Sequence, residues 1–429
     1  MFPKGFFISV AAFIFIVIGT ILAIFWARGY RPDLKNGTFN GTGLLSANSF
    51  PTGATVYVDD KLTTATDNTI NLAPGDYDVK IVKDGFITWR KKLKLSEELV
   101  TQTDALLFPA ATNLNALTYI GAINPVPSSD GQKIAFCVAS ASSTLKNGLY
   151  ILDLSNRTLS FRSEIKQISN NDSFDFSKAD WIWSPDSAQI LAWYQDDQQN
   201  IIQSVLLESN KMNDVLLDQT VNIPTILADW QLELDLKYKE RLGKLPKKLK
   251  PILTNNTTAL YWSPDETKIM YTATASATIT DKLIPALPAS NTQSQQRNLK
   301  PGNIYLYDLK EDRNFLVTEG KLPDLVSPGP VTPKSTHDLI KDIRDQYSPI
   351  FIQNAQWYTD SKHIVISQND KITIQEYDGT NKMTVYAGPL YQRPNDGTFV
   401  FPSPDGSKLV ILANLNNDTP PNLYAVSLK

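Results

Sequence analysis

Two histidines, His337 and His363, and a plentiful supply of carboxylates are the raw material for catalysis in this 429-residue chain. With so few imidazoles, a Ser-His-Asp triad or a His-based metal site lacks its parts. The sequence holds no Gly-x-Ser-x-Gly elbow, P-loop, Gly-x-Gly-x-x-Gly or Cys-x-x-Cys motif. A pair of carboxylates for glycoside hydrolysis is the one enzyme chemistry the composition leaves open. Three acidic features compete for that role, and each has a plainer reading. Tyr57-Val58-Asp59-Asp60 has the look of a polymerase metal motif, yet a third ligand and a nucleotide-binding fold are missing, so a strand running into a turn accounts for it. Asn170-Asn171-Asp172 through Asp180 lacks the spacing and the glycine of an EF-hand loop and reads as a solvated polar loop. Asp130, Asp186, Asp265, Asp360 and Asp405 recur at equivalent places and read as turn formers. His363 stands just before an apolar run and reads as packed. The expectation is a protein that is not an enzyme, with no catalytic residue, metal or cofactor.

The elements that position the five aspartates form a repeat. Pro127-Ser128-Ser129-Asp130, Trp183-Ser184-Pro185-Asp186, Trp262-Ser263-Pro264-Asp265, Trp357-Tyr358-Thr359-Asp360 and Pro402-Ser403-Pro404-Asp405 each precede an aliphatic residue by four positions, at Ile134, Ile190, Ile269, Ile364 and Leu409. Ser and Asp offer acceptors to the turn backbone and Pro presets φ, so each cassette predicts a tight hairpin. The runs that follow, such as Ile190-Leu191-Ala192-Trp193 and Leu409-Val410-Ile411-Leu412, are continuously apolar, which suits sheets covered on both faces. A third strand recurs at Leu149–Leu154, Ile304–Leu309, Ile372–Tyr377 and Leu423–Leu428, with a weaker match at Val205–Leu207, and a fourth follows in most copies. Four strands per repeat is the plan of a propeller blade.

Before the repeats lies a second module, with Thr55-Val56-Tyr57-Val58 and the alternating Tyr77-Asp78-Val79-Lys80-Ile81 separated by turn signals at Pro51-Thr52-Gly53, Pro74-Gly75-Asp76 and Asp84-Gly85. Ser49-Phe50-Pro51-Thr52-Gly53-Ala54-Thr55-Val56-Tyr57-Val58-Asp59, with Leu72-Ala73-Pro74-Gly75-Asp76-Tyr77 and Lys83-Asp84-Gly85-Phe86, resembles the PEGA domain, a small surface-associated β-sandwich; Thr52 stands where that family has Glu. The Trp-Ser-Pro-Asp cassettes resemble the WD40-like repeats of the TolB-type propeller. These resemblances imply a mainly β chain in which residues 44–108 form the sandwich and 109–429 a propeller of five or six blades. Neither brings a catalytic residue with it.

The first residues are different in kind. Phe6 to Trp26 carries no charge, and at about 1.5 Å per residue it is long enough for a bilayer core. Residues 1–5 read as a short tail, 6–27 as a retained transmembrane helix with Trp26 and Tyr30 at the interface, and 28–43 as a flexible linker. Its apolar core is longer than that of a cleaved signal peptide. A literal count of Lys4 against Arg28, Arg31 and Lys35 favours a cytoplasmic body. The short N-terminal tail and the family resemblance favour an extracytoplasmic one, and that is the expectation. Forty-one Lys and Arg against 44 Asp and Glu supply no basic stripe for nucleic acid. The single Cys137 reads as a core thiol.

Successive cassette aspartates are 56, 79, 95 and 45 residues apart, against about 40–45 for one blade. Three insertions account for the excess. Residues 222–258 predict a helix from Trp230 to Leu242, residues 272–302 a mobile polar loop, and residues 320–347 a proline-rich opening followed by a capping box at Ser335 and Asp338 and a short helix. Hairpin topology places all three at the end opposite the cassettes. The expectation is a membrane-tethered surface protein that binds a protein or an envelope polymer on that end, through Trp230, Tyr238, Leu242, Leu339 and Ile343. The alternative is an envelope carbohydrate-active enzyme with carboxylates in the propeller channel.

Overall fold

The computed structural model describes residues 4–27, 30–33, 38–155, 164–285, 287, 291–320, 335–347, 355–368, 370–393, 397–416 and 420–429. Arg28 and Lys35 of the linker, and Pro323, Pro328, Pro330 and Pro333 of the third insertion, lie outside the described residues. The chain divides into two units, residues 1–110 with 286–294, and residues 111–285 with 295–429.

In the first unit, helix α1 spans Lys4–Ala27. Its side chains are described from Ser9 to Ile24, all exposed, with Phe13 at 67% and Phe15 at 79%. Among the described residues no helix is long and apolar enough to cross a membrane. Part of the expected linker is a two-stranded hairpin, Arg31–Asp33 against Thr38–Asn40. The sandwich has a four-stranded antiparallel sheet (Lys61–Ala65, Thr55–Val58, Gly75–Val82, Trp89–Leu95) and a three-stranded sheet built around Gly43–Ala47. Leu45 and Ala47 from one and Val56, Val79, Ile81 and Trp89 from the other close a single core. Asp59 and Asp60 have φ of 49° and 59° and form the two-residue turn after Thr55–Val58, and Asp59 Oδ1 accepts the Asp78 N–H at 3.0 Å. They are turn formers rather than metal ligands.

Among its described residues the second unit contains five larger antiparallel sheets, four of four strands and one of three, and two two-stranded hairpins. Sheet one comprises Ile123–Pro127, Lys133–Val138, Gly148–Asp153 and Glu164–Asn170. Sheet two comprises Asp180–Trp183, Gln189–Gln195 and Ile201–Glu208, its outer edge met by a bridge between Val205 and Asp218 in place of a fourth strand. Sheet three is Thr257–Trp262, Lys268–Ala273, Ile304–Asp308 and Arg313–Thr318. Sheet four is Ala355–Trp357, His363–Gln368, Lys371–Glu376 and Met383–Ala387. Sheet five takes three strands from the C-terminus, Val400–Pro402, Lys408–Ala413 and Asn422–Ser427, and its fourth, Leu114–Ala116, from the start of the unit. That last pairing ties the two ends of the unit into one sheet, which leaves fewer strand edges open.

Every cassette builds the same turn. Backbone bonds of 2.8–2.9 Å join Ser128 to Lys133, Ser184 to Gln189, Ser263 to Lys268, Tyr358 to His363 and Ser403 to Lys408. The residue after each Asp is left-handed: Gly131, Ser187, Glu266, Ser361 and Gly406 have φ between 56° and 70°. The Ser hydroxyl donates to the Asp carboxylate at 2.6–2.7 Å in four copies and accepts a backbone N–H five residues on. In the fourth copy, where Tyr358 replaces Ser, Asp360 pairs instead with buried His363 at 2.6 Å.

Apolar clusters join the sheets in order. Ile134 and Phe136 of sheet one pack with Val410 of sheet five and with Phe399, just before its strand Val400–Pro402. Ala135 and Ile151 pack with Trp181 and Ile190 of sheet two, and Met270 and Leu306 of sheet three with Trp357 and Ile364 of sheet four. Gln356 donates to the Val400 carbonyl between sheets four and five. Sheets two and three share no such cluster among the described residues. Between them stand α2 (Ile223–Gly243), α3 (Leu249–Asn256) and α4 (Thr336–Tyr347): α2 and α4 pack on Ile182, Leu191 and Trp193 of sheet two, while α3 packs on Trp262 and Tyr271 of sheet three. The ring therefore has five sheets and one helical sector in the place of a sixth.

This sector corrects the expectation that the insertions crowd one end. α2 begins beside the turn between the second and third strands of sheet two, and its other end reaches the third cassette, where Glu266 accepts from Arg241 at 2.9 Å and Lys244 at 3.1 Å. The insertion 272–302, expected as a mobile loop, includes a hairpin, Ala277–Thr278 with Asn298–Leu299, laid along the outer strand of sheet three; Gln296 N–H bonds the Asn314 carbonyl, and Arg297 pairs with Asp312 at 3.1 Å. Ile279 and Leu299 join these polar anchors by burying in the apolar cluster of sheet three, too few and too far apart to show a period.

A tryptophan pair reports the same gap. Trp183 Nε1 donates to the Val126 carbonyl of sheet one at 3.0 Å, and Trp357 Nε1 to the Tyr261 carbonyl of sheet three at 3.1 Å. Trp262 occupies the equivalent place in sheet three, but helices separate it from sheet two, and its Nε1 is buried with no partner among the described residues. Replacing each by Phe removes similar volume, so Trp183→Phe and Trp357→Phe are expected to lose about 1 kcal/mol more than Trp262→Phe in urea unfolding. Equal losses would contradict the assigned bonds.

Candidate functional site

Where the first and third insertions meet sheet two there is a cleft of about 530 Å³. Gln195, Gln198, Gln199, Asn200 and Ile201, from the turn of sheet two, line one wall. Thr220, Ile223 and Pro224, at the start of α2, form the second, and Ser335, Thr336 and His337, at the start of α4, the third. The volume lies within the range usual for small-ligand sites.

Three of the lining polar side chains are each fixed by an aspartate. Asn200 donates from Nδ2 to Asp196 at 3.0 Å, while Asp196 also accepts the N–H groups of Gln198 and Asn200. Thr220 Oγ1 donates to Asp218 at 2.5 Å and accepts the Ser204 N–H at 2.9 Å, which ties it to sheet two. Ser335 Oγ donates to Asp338 at 2.7 Å and accepts the Asp338 N–H in return, the capping box read from the sequence. The hydrogen bond from Asn200 holds Asp196 below the usual carboxylate range; that from Thr220 does so for Asp218, and that from Ser335 for Asp338. The cleft thus has fixed walls and carboxylates charged at neutral pH beside it.

The residues expected to dock a partner fall mostly elsewhere. Trp230 and Ile343 are brought together, but in the apolar core between α2, α4 and sheet two, exposed by 8% and 0%. Leu339 packs half-buried against the same core, and Leu242 against the cluster of α3 and sheet three. Tyr238 is half-buried on α2, and burial raises its pKa. Trp230 and Ile343 are therefore corrected from docking residues to core, because an α-helix wedged between two sheets must turn its largest apolar side chains inward. Sequence reasoning missed the residues of the cleft, apart from Ser335. The polar turn Asp196-Asp197-Gln198-Gln199-Asn200 is the only local signal, and nothing in it announces which insertion will face it.

His337 is the one histidine among the lining residues of the cleft. Among the described residues no group of three His, Cys, Asp or Glu could hold a metal ion. Burial favours the neutral form of Asp360, but the hydrogen bond and charge of His363, with the Lys362 and His363 N–H groups, hold its pKa down. The thiol of Cys137 is pushed up to about 12 by burial, which leaves it inert.

Residues 42–109 match the PEGA domain family. No curated protein matches the chain. Among solved structures it is similar to the TolB-type protein of Agrobacterium tumefaciens, at 14% identity over 72% of each chain with a TM-score of 0.20. It is also similar to an oligogalacturonate lyase in complex with manganese, at 12% identity over 85% of this chain and 81% of that one with a TM-score of 0.22. A third likeness is to the acylaminoacyl peptidase of Pyrococcus horikoshii, at 9% identity over 73% of this chain and 40% of that one with a TM-score of 0.19. At these values none of the three bears on what this chain binds or does.

Proposed function

We propose that this is a membrane-anchored, extracytoplasmic binding or scaffold protein: α1 holds the chain in the membrane, the PEGA-type module acts as spacer or attachment domain, and the ring of sheets presents a binding site for a protein or an envelope polymer. The observation that carries the reading is the cleft at which two insertions, 111 residues apart at Pro224 and Ser335, converge on sheet two. Insertions on a rigid scaffold are where binding sites form. The uncharged run Phe6–Trp26 of α1, with every described side chain from Ser9 to Ile24 exposed, supports the anchor. The near balance of charge gives no support to a nucleic-acid partner. For the enzyme alternative, a general acid would need a carboxylate with a raised pKa; each described carboxylate with a clear shift, such as Asp186, Asp265 and Asp405, is shifted down.

Membrane fractionation and affinity capture test this together. The intact chain is expected to stay with membranes through alkaline carbonate, to lose that behaviour without residues 1–27, and to be cleaved by protease added outside intact cells. Capture from solubilised membranes with the wild type and with Gln195→Ala/Gln198→Ala, two exposed positions whose loss leaves the core intact, is expected to differ in a specific partner. Release by carbonate would remove the anchor, and identical captured sets would remove the cleft.

A further inference from the structure

We propose that the cleft between the sheet-two turn, α2 and α4 binds a neutral saccharide unit, an inference that rests on the binding role assigned above. Apart from the imidazole of His337, its polar lining is amide and hydroxyl: four carboxamides (Gln195, Gln198, Gln199 and Asn200) stand with Thr220, Ser335 and Thr336, and none of the lining residues is Asp, Glu, Lys or Arg. A carboxamide offers donors and acceptors side by side, as a sugar hydroxyl does, so the two pair without a net charge on either side.

The fixed groups sharpen the match. Thr220 and Ser335 each spend their hydroxyl proton on an aspartate and accept one backbone N–H, so the lone pair left to each oxygen can only accept. Such groups want hydroxyl donors. An anionic ligand is disfavoured, because Asp196, Asp218 and Asp338 stand directly behind the lining while no Lys or Arg lines the cleft, Lys341 beside Asp338 being the nearby cation. A peptide strand is disfavoured too. The turn closes on its own backbone, Asp196 N–H to Asn200 O at 3.0 Å and Gln199 N–H to Asp196 O at 2.9 Å, which leaves no ladder for a strand to join. Ile201, Ile223 and Pro224 supply an apolar strip on which the C–H face of a sugar ring can lie.

The test is saturation-transfer NMR on the full chain in a polyoxyethylene detergent, since glycosidic detergents would compete. Cellobiose and N,N′-diacetylchitobiose are the probes, with glucuronate, glucosamine and an acetylated alanine tripeptide as comparators. At least one neutral disaccharide is expected to receive saturation from the protein. Gln195→Ala/Gln198→Ala is expected to weaken it about tenfold, the equivalent of about 1.4 kcal/mol, while Gln102→Ala in the other unit leaves it unchanged. Silence from both disaccharides, a preference for the acid, the amine or the tripeptide, or unchanged binding by the double variant would overturn the proposal. A chain that fractionates with membranes and captures its partner, yet ignores both sugars, sinks this inference alone; one that also captures nothing sinks the binding reading with it.

Discussion

Ile343→Asp is expected to cost more than 4 kcal/mol and to free α4 from the ring. Ile343 is fully buried among Ile182, Leu191 and Trp193 of sheet two and Leu227 and Trp230 of α2. A carboxylate there has three outcomes: it stays charged in an apolar core, it protonates, or the helix leaves, and each is costly. Leaving is the cheapest, because α4 is held by its inner face while Lys341 on the same helix is exposed. The variant should therefore show rapid proteolysis between residues 335 and 347 before the sheets unfold. It should also lose any ligand of the cleft, which takes one wall from Ser335, Thr336 and His337. Ile343→Ala is expected to cost about 2–5 kcal/mol by leaving a cavity, and Lys341→Ala less than about 0.5 kcal/mol. Were Ile343 a docking residue, Ile343→Asp would keep its stability and lose only a partner. A melting temperature equal to wild type would thus restore the docking role and discard the wedge.

How much of this was legible follows from which interactions are local. The cassettes could be read because each is complete within a few residues: Ser184, Asp186 and the N–H groups of Ala188 and Gln189 satisfy one another without help from afar. The helix α2 was also legible. Alternation from Trp230 to Tyr238 permits a strand, but the buried residues Ile223, Leu227, Trp230 and Leu234 follow helical spacing, and Leu232 and Leu236 point outward at 59% and 58% exposure. Its destination was not legible. Glu266 marks it, for the equivalent residue is Gly or Ser in the other cassettes. Ser187 and Ser361 use that position to accept the N–H of Asp130 and Asp265 in the preceding sheet, whereas Glu266 reaches Arg241 and Lys244 of α2. The closing strand Leu114–Ala116 was invisible because three residues carry no period, and its partner lies some 310 residues away at Tyr424 to Val426. The cleft escaped for the same reason: its walls come from three separated segments, and only tertiary packing selects them.

Lys268→Met is expected to lose about 3 kcal/mol, and most of that loss should return when Asp308→Asn is added. The two residues are register partners on adjacent strands of sheet three, with side chains 9% and 4% exposed and Nζ 3.6 Å from Oδ2. The ammonium also lies 4.9 Å from the ring centre of Tyr377, so the charge joins sheet three to sheet four. Removing the lysine alone leaves a buried carboxylate. The N–H groups of Lys310 and Glu311 still reach Asp308 Oδ1, at 2.8 and 3.0 Å, which keeps the penalty at the lower end of the ~3–5 kcal/mol usual for breaking a buried pair. Asparagine keeps an acceptor for those two N–H groups while carrying no charge, and methionine keeps the length of the lysine stem, so the double variant restores neutrality without opening a cavity. The four proteins form a double-mutant cycle in urea, with a coupling of at least about 1.5 kcal/mol expected. Losses that simply add would show that the two charges are screened from each other, and that the Trp357 and Ser361 hydrogen bonds with the apolar packing of Met270 and Leu306 against Trp357 and Ile364 join these sheets without them.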